Sequence, residues 1–265
     1  MQSRIPQKIK LSALIILLFA LALPVGAQHF YFAQMTDTHF GYGDNTRRTE
    51  NVVASINALP IKIEAVVVTG DIFDECILDD KVVETALNTF KPLKPPVYYL
   101  PGNNDIVEGD KAPAMRDAFI KHIGPLAYQA TVKGVVFLMV YSEPLRVDVG
   151  VEFDALGWLK RALRDAGDKP VIIFTHTPVN RDFYLNKMHD GWPESNRKKW
   201  ESLISSHKNV KAVITGHFHR DELHWIGDVP QFVCPPVSSL FGRQNAFRMY
   251  EYNNGKVSYR TIYVD

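Results

Sequence analysis

The chain has 265 residues, 46% hydrophobic and 22% charged, which supplies enough apolar surface for a sizeable core and excludes a disordered polymer. Thirty basic residues stand against twenty-nine acidic ones, so a formal charge of +1 gives no overall field for nucleic acid or an anionic membrane, and any anionic substrate must be held by a local site. Two cysteines, Cys76 and Cys234, allow at most one intrachain bridge and exclude a disulfide-stapled miniprotein.

The first 27 residues differ from the rest. Arg4, Lys8 and Lys10 precede the uninterrupted apolar stretch Leu11 to Leu23, which is followed by Pro24 and the small-residue sequence VGA. The pattern is that of a secretory signal peptide over residues 1–27, with Val25 and Ala27 suited to cleavage before Gln28. The apolar stretch is short for a spanning helix, and an uncleaved N-terminal anchor is the competing reading. No cysteine follows to carry a lipid. Cleavage leaves one domain, residues 28–265, with a net charge of −2 and a periplasmic or secreted destination.

From Gln28 onward apolar runs alternate with amphipathic segments, the rhythm of an α/β domain. The runs HFYFAQMT, EAVVVTG, PVYYLPG, VVFLMVYS, PVIIFTH and VKAVITGH predict central strands covered on both faces. Between them the clearest helix is 153–167, with Phe153, Leu156, Leu159 and Leu163 on one face and Asp154 and Gly167 near its ends. After His219 short alternating segments, with turns at Gly227 and at Asn254–Gly255, predict antiparallel strands completing a second sheet.

The chemistry lies at the carboxyl ends of the predicted strands, where open α/β sheets place their crevices. These ends carry Asp37 and His39 in TDTH, Asp71 and Asp74 in GDIFD, Asn103 to Asp105 in GNND, His176 in THTP, and His217 and His219 in GHFH. Singly each block is weak: a Gly-Asp after a strand is commonly a turn, and a lone histidine is commonly structural. Five ordered blocks, each after an apolar strand, are expected to converge on one edge of one sheet. Two carboxylates, four imidazoles and a carboxamide oxygen suit borderline or hard ions, and the number of donors suits two of them. Asp71 can bridge, since a carboxylate has two oxygens to share.

At these residues the sequence resembles the calcineurin-like metallophosphoesterase superfamily. TDTH, GDIFD, GNND, THTP and GHFH follow its DxH, GDxxD, GN(H/x)(D/E), H and GHxH motifs in order, over nearly the whole chain from Phe30 onward. The resemblance implies a four-layer α/β/β/α sandwich of two mixed sheets flanked by helices. It implies that Asp37, His39 and His219 hold one ion, that Asn103, His176 and His217 hold the other, and that Asp71 bridges them. The implied cofactors are two divalent or trivalent ions, manganese, iron or zinc, and the implied reaction is attack on a phosphoester by a metal-bridging hydroxide. Two divalent ions, two carboxylates and one hydroxide leave a charge of about +1 to meet a phosphate.

Two departures from the family pattern bear on catalysis. Many members have histidine where this chain has Asn104, and an amide donates a hydrogen bond to a phosphoryl oxygen but does not protonate a leaving group. The loss points to esters with good leaving groups or to another acid, for which His189 is a candidate. Asp74, which in the family orients that histidine, is retained. It also stands where the purple acid phosphatase branch has tyrosine, so a coloured tyrosinate-iron site is not implied.

Substrate choice is expected in the loops Gly41–Arg48 and Asn180–Trp200. There Arg47, Arg48 and Arg181 could clamp a second phosphate, and Phe183, Tyr184 or Trp192 could stack on a base, although solvated charges and loop packing are the stronger reading of each taken singly. The partner is a phosphorylated small molecule, such as a nucleotide, cyclic nucleotide or lipid headgroup; the sequence leaves oligomeric state open. The alternative function is a metal-stabilised binding protein with little or no turnover. Absence of a GxSxG elbow, a P-loop and GxGxxG removes the serine-hydrolase and nucleotide-cradle readings. A Cys76–Cys234 bridge is conceivable in an exported chain, with two separate thiols as the default.

Overall fold

The computed structural model describes residues 28–186 and 191–265, and no helix among them is long and apolar enough to cross a membrane. The segment 1–27 and His189 lie outside the described residues. In chain order the elements are β1 (His29–Met35), α1 (Asn45–Asn57), β2 (Ile63–Thr69), α2 (Asp80–Phe90), β3 (Val97–Leu100), α3 (Ala112–His122), β4 (Ala127–Val132) and β5 (Val135–Val140), then α4 (Ala155–Ala166), β6 (Val171–Phe174), α5 (Glu194–Ser205), β7 (Val210–Thr215), β8 (Glu222–Ile226), β9 (Val229–Val233), β10 (Ala246–Asn253) and β11 (Lys256–Tyr263).

The strands form two mixed sheets, ordered β11-β10-β1-β2-β3 and β4-β5-β6-β7-β9-β8. Alternation along each strand sends successive side chains to opposite faces, so each sheet has two faces to bury. Phe30, Phe32, Val67 and Leu100 of the first sheet meet Phe137, Met139, Ile172, Phe174 and Ile214 of the second in the central layer. Ala33, Met35, Val66 and Val68 turn the other way onto α1, α2 and α3, while Leu138, Val140 and Ile173 pack against α4 and α5. The result is the expected α/β/β/α order. Helix α4 follows its sequence signals closely: Asp154 Oδ1 accepts from Gly157 N at 2.8 Å, Leu159 and Leu163 are buried, and Gly167 at φ 59° ends it.

The tail after His219 departs from the expectation of a single second sheet. The β8–β9 hairpin joins the second sheet, with β9 parallel to β7, whereas β10 and β11 cross to the first, with β10 antiparallel to β1. Alternation marks a segment as strand but does not choose its neighbour; here aromatic pairing chooses. Tyr250 and Tyr252 lie opposite Phe32 and Phe30 and stack on them at 4.9 and 5.3 Å between ring centroids. Strand β4, whose AYQATV carries only weak apolar patterning, was not among the expected strands. The bridge between Cys76 and Cys234 does not form: both are free thiols, with Cys76 Sγ donating to Phe40 O at 3.1 Å.

Phe32 contacts Phe137, Phe174 and Tyr250 at the centre of the inter-sheet layer and is fully buried. Phe32→Ala should cost about 3–5 kcal/mol of stability, read as a lowered midpoint in urea unfolding.

Candidate metal centre

Five strands from both sheets deliver the site. Asp37 and His39 follow β1, Asp71 follows β2, Asn103 and Asn104 follow β3, His176 follows β6, and His217 and His219 follow β7. The convergence expected at one sheet edge therefore occurs where the carboxyl edges of two sheets meet.

The loops that leave the first sheet stay zipped together beyond the strands. Asp37 N donates to Gly70 O, His39 N to Asp71 O, Phe40 N to Ile72 O, and Asp74 N back to Phe40 O, all at 2.8–3.0 Å. The second sheet is tied to the same loops by Ser238 N to Asp37 O at 3.0 Å and by His217 N to Asp37 Oδ2 at 3.0 Å. Asp37, His39, Asp71, His217 and His219 all have φ between 45° and 69°. Left-handed backbone costs an L-residue about 1–2 kcal/mol, and its clustering on five converging side chains marks a functional site. Gly102 belongs to the same constraint, because a Cβ there would collide with Asp71 Oδ1 and the Asp71 backbone nitrogen.

Two groups of potential ligands result. Donor atoms of Asp37, His39 and His219 lie within 4.8 Å of one another, and so do those of Asp71, His176 and His217. Five of the six are buried, and His217 is half-buried. Asp71 Oδ2 stands between the groups, 3.7 Å from His39 Nε2 and 3.2 Å from His176 Nε2. Asn103 Oδ1 joins the second group at 3.1 Å from His176 Nε2.

The hydrogen bonds on the outer side fix the imidazole tautomers. His176 Nδ1 donates to Thr69 O at 2.8 Å, which turns the lone pair of Nε2 toward Asn103, Asp71 and Asp37. A neutral imidazole there presents one acceptor to three others. Burial opposes a charge on His176, yet Asp71 and Asp37 raise its pKa to about 10. Burial would likewise raise Asp37, but His219, His176 and His39 hold its carboxyl far below the usual carboxylate range. The cluster requires positive charge, which a proton or a metal ion can supply. Asp37 Oδ1, His39 Nε2 and His219 Nδ1 are buried without a hydrogen-bond partner among the described residues, as expected of groups shaped for cations. The donor set and its geometry fit two metal ions.

Asp74 has a different role from the expected one. Its Oδ1 accepts from His39 Nδ1 at 3.1 Å, so it orients an inward-facing imidazole and not a histidine at position 104. Asn104 is itself anchored, its N donating to Asp71 Oδ1 at 2.8 Å and its Oδ1 accepting from Asn103 Nδ2 at 2.9 Å.

Asp105 escaped the sequence reading of site roles. It is fully buried, accepting from Phe73 N and Gly102 N at 2.8 Å each, and so pins the loops after β2 and β3 to each other. Burial, with the charge of Asp71, raises its pKa to about 7. Its place in GNND was a signal, but burial of its carboxylate was not visible there.

The candidates in the outer loops are mostly structural. Arg47 pairs with Asp44, Arg48 donates to the carbonyls of Val237, Ser238 and Arg243, and Trp192 is buried against Trp200. Arg181 lines a separate cavity with Arg146 and Arg197. Phe183 and Tyr184 do reach a cavity beside His219.

An α/β/β/α sandwich with two buried Asp/His metal-binding groups at its joined sheet edges defines a metal-dependent phosphoric ester hydrolase. A sequence profile of the calcineurin-like phosphoesterase family matches residues 30–221, and the chain belongs to that family. Glycerophosphodiester phosphodiesterase GpdQ of Enterobacter lignolyticus is 30% identical over 207 residues, covering 71% of this chain and 70% of that one. A probable cyclic nucleotide phosphodiesterase of Fibrobacter succinogenes is 25% identical over 209 residues, covering 76% and 77%. Among solved structures, a dimetal phosphatase from Danio rerio shares the fold, with a TM-score of 0.63 at 16% identity over 89% of this chain and 99% of that one.

Because Asp74 holds His39, Asp74→Asn should weaken manganese binding by about 10–100-fold, measured by calorimetric titration. Unaltered affinity would show that the Asp74–His39 contact does not tune the centre.

Proposed function

We propose that the chain is an exported dinuclear phosphoesterase, active on phosphodiesters and on phosphomonoesters with good leaving groups, in the periplasm or outside the cell. The observation that carries the reading is Asp71 Oδ2, buried and within 3.7 Å of an imidazole from each ligand group. Asp37, His39 and His219 would hold one ion; Asn103, His176 and His217 the other; and Asp71 would join them. Bound there, two ions of manganese, iron or zinc would lower the pKa of water and offset charge on the phosphoryl oxygens.

The remaining work falls to the chain's own groups. Asp74 and the Thr69 carbonyl hold the His39 and His176 rings so that Nε2 faces inward. Asn104, with its Oδ1 engaged by Asn103 and its Nδ2 3.4 Å from His39 Nδ1, would donate from Nδ2 to a phosphoryl oxygen. The four imidazoles serve as ligands, Cys234 is fully buried, and Cys76 is bonded to Phe40 O. In this reading water is the attacking group, with no phosphoenzyme. The names of the relatives, a glycerophosphodiester phosphodiesterase and a probable cyclic nucleotide phosphodiesterase, support small phosphodiesters as substrates. Export rests on residues 1–27 and predicts a periplasmic form whose intact mass begins at Gln28.

Purified protein with added manganese, zinc or iron should hydrolyse bis(4-nitrophenyl) phosphate; inactivity with all three would overturn the reading. Asp71→Asn removes a charge and a bridging oxygen, and should lower the rate by about a thousandfold, equivalent to about 4 kcal/mol, with the second ion bound weakly. Full occupancy by both ions in that variant would place the bridge elsewhere. Asn104→His separates the enzyme from a metal-stabilised binding protein with little turnover: large activity appearing only in the variant would favour the binding protein.

A further inference from the structure

A cavity of about 400 Å³ opens beside His219, with Phe183, Tyr184, Arg220, Glu222 and Arg243 among its walls. Arg220 and Arg243 are half-buried, and the Nε of each is buried without a hydrogen-bond partner among the described residues. Neither guanidinium makes an ion pair among those residues. The Arg220 guanidinium lies 3.9 Å from the centre of the Tyr184 ring, a contact that positions the cation without neutralising it. Two carboxylates share the wall, Asp221 paired with an arginine and Glu222 engaged through one oxygen. Asp221 accepts from the buried Arg248, from Tyr259 and from Thr261, while Glu222 meets His224 Nε2 at 2.8 Å. Glu222 Oε1 is also buried without a hydrogen-bond partner among the described residues, so two guanidiniums without ion pairs among those residues face one half-satisfied carboxylate; the balance is positive, and a buried donor without an acceptor is costly.

We infer that this cavity is a subsite for a second phosphate, carried by the substrate beyond the scissile one, with Arg220 and Arg243 as its ligands. The inference rests on the phosphoesterase reading, because His219 borders both the cavity and the first ligand group. Two guanidiniums against the one Glu222 carboxylate leave the wall positive toward a phosphomonoester of about −2, and each can bind phosphate oxygens through its fork of N–H groups. A choline-like headgroup would meet repulsion in the same place. The exposed faces of Phe183 and Tyr184, 64% and 73% accessible, leave room beside the anion for the carbon frame that carries it. The substrate class is therefore phosphoesters that bear a second phosphate, in preference to those with a neutral or cationic substituent.

Thymidine 5′-(4-nitrophenyl) phosphate and the same ester with an added 3′-phosphate share their scissile bond and leaving group. The ratio of their kcat/KM values, measured with manganese, isolates the second phosphate. The ratio should favour the 3′-phosphorylated ester by about tenfold or more and should fall to about one in the Arg220→Gln/Arg243→Gln double variant. Arg47→Gln, which removes an exposed arginine paired with Asp44, should keep the wild-type ratio. Equal urea midpoints would show that the double variant is folded. A wild-type ratio near one, or an unchanged ratio in the double variant, would overturn the subsite while the phosphoesterase reading stands. If neither ester is hydrolysed, that reading fails; calorimetry with thymidine 3′-phosphate then decides the subsite, with binding lost in the double variant supporting it and equal or absent binding overturning it.

Discussion

Asp37 and Asp71 are two buried carboxylates aimed into one imidazole cluster, and the need to compensate their charge governs the rest of the site. Water cannot provide that compensation at 0% and 2% exposure. The neighbouring hydrogen bonds satisfy only the outer oxygens: Asp37 Oδ2 accepts from Thr36 Oγ1 and His217 N, and Asp71 Oδ1 accepts from Asn104 N. The inner oxygens are left facing imidazole nitrogens, some of which are acceptors themselves by virtue of their outer bonds. Such an arrangement is unfavourable when empty of positive charge and favourable around it, which is the physical meaning of a metal-binding group.

Holding that geometry requires a floor that does not yield. Gln34, fully buried beneath the site, donates to Thr69 Oγ1 and to Thr215 O, and accepts from Tyr250 OH at 2.8 Å, so it ties the ends of β2 and β7 to β10. The aromatic inter-sheet layer continues directly below. Left-handed backbone at Asp37, His39 and Asp71 persists because the ladder of bonds between the TDTH and GDIFD loops over-determines it, and His217 is held to that ladder through Asp37 Oδ2. Core packing thereby becomes positional accuracy at the centre, the route by which a sandwich of apolar strands serves a polar reaction.

Much of this was legible in the sequence, for identifiable reasons. Long β-branched runs revealed the buried strands, and short-range motifs at their ends revealed the side chains that the structure brings together. Those signals are local. The destination of the tail was not local: β10 reads as an ordinary alternating strand, and only its pairing with Phe30 and Phe32 sends it to the first sheet. The partner of Asp74 is not local either. Four positions into GDIFD, it could face position 104 or position 39, and only the zipped loops decide for His39. Arg220 and Arg243 carried no motif, since their significance lies in a lack of ion pairs among the described residues, which composition does not reveal.

The asparagine at position 104 gains meaning from this placement. Because Asp74 is bonded to His39, its retention does not signal a lost histidine; it has work of its own at the centre. Asn104 is held by Asp71 and Asn103, and an amide so held donates without exchanging a proton. Under the proposed reading, stabilisation of the phosphoryl oxygens is kept while leaving-group protonation is not. Selectivity then shifts to alcohols that depart readily, and to binding contacts beyond the reacting phosphorus. Under the same reading, Arg220 and Arg243 in the cavity beside His219 would supply such contacts. A near-neutral chain can in this way concentrate its positive charge on one side of one crevice, where binding energy from a remote group is available to orient the scissile bond.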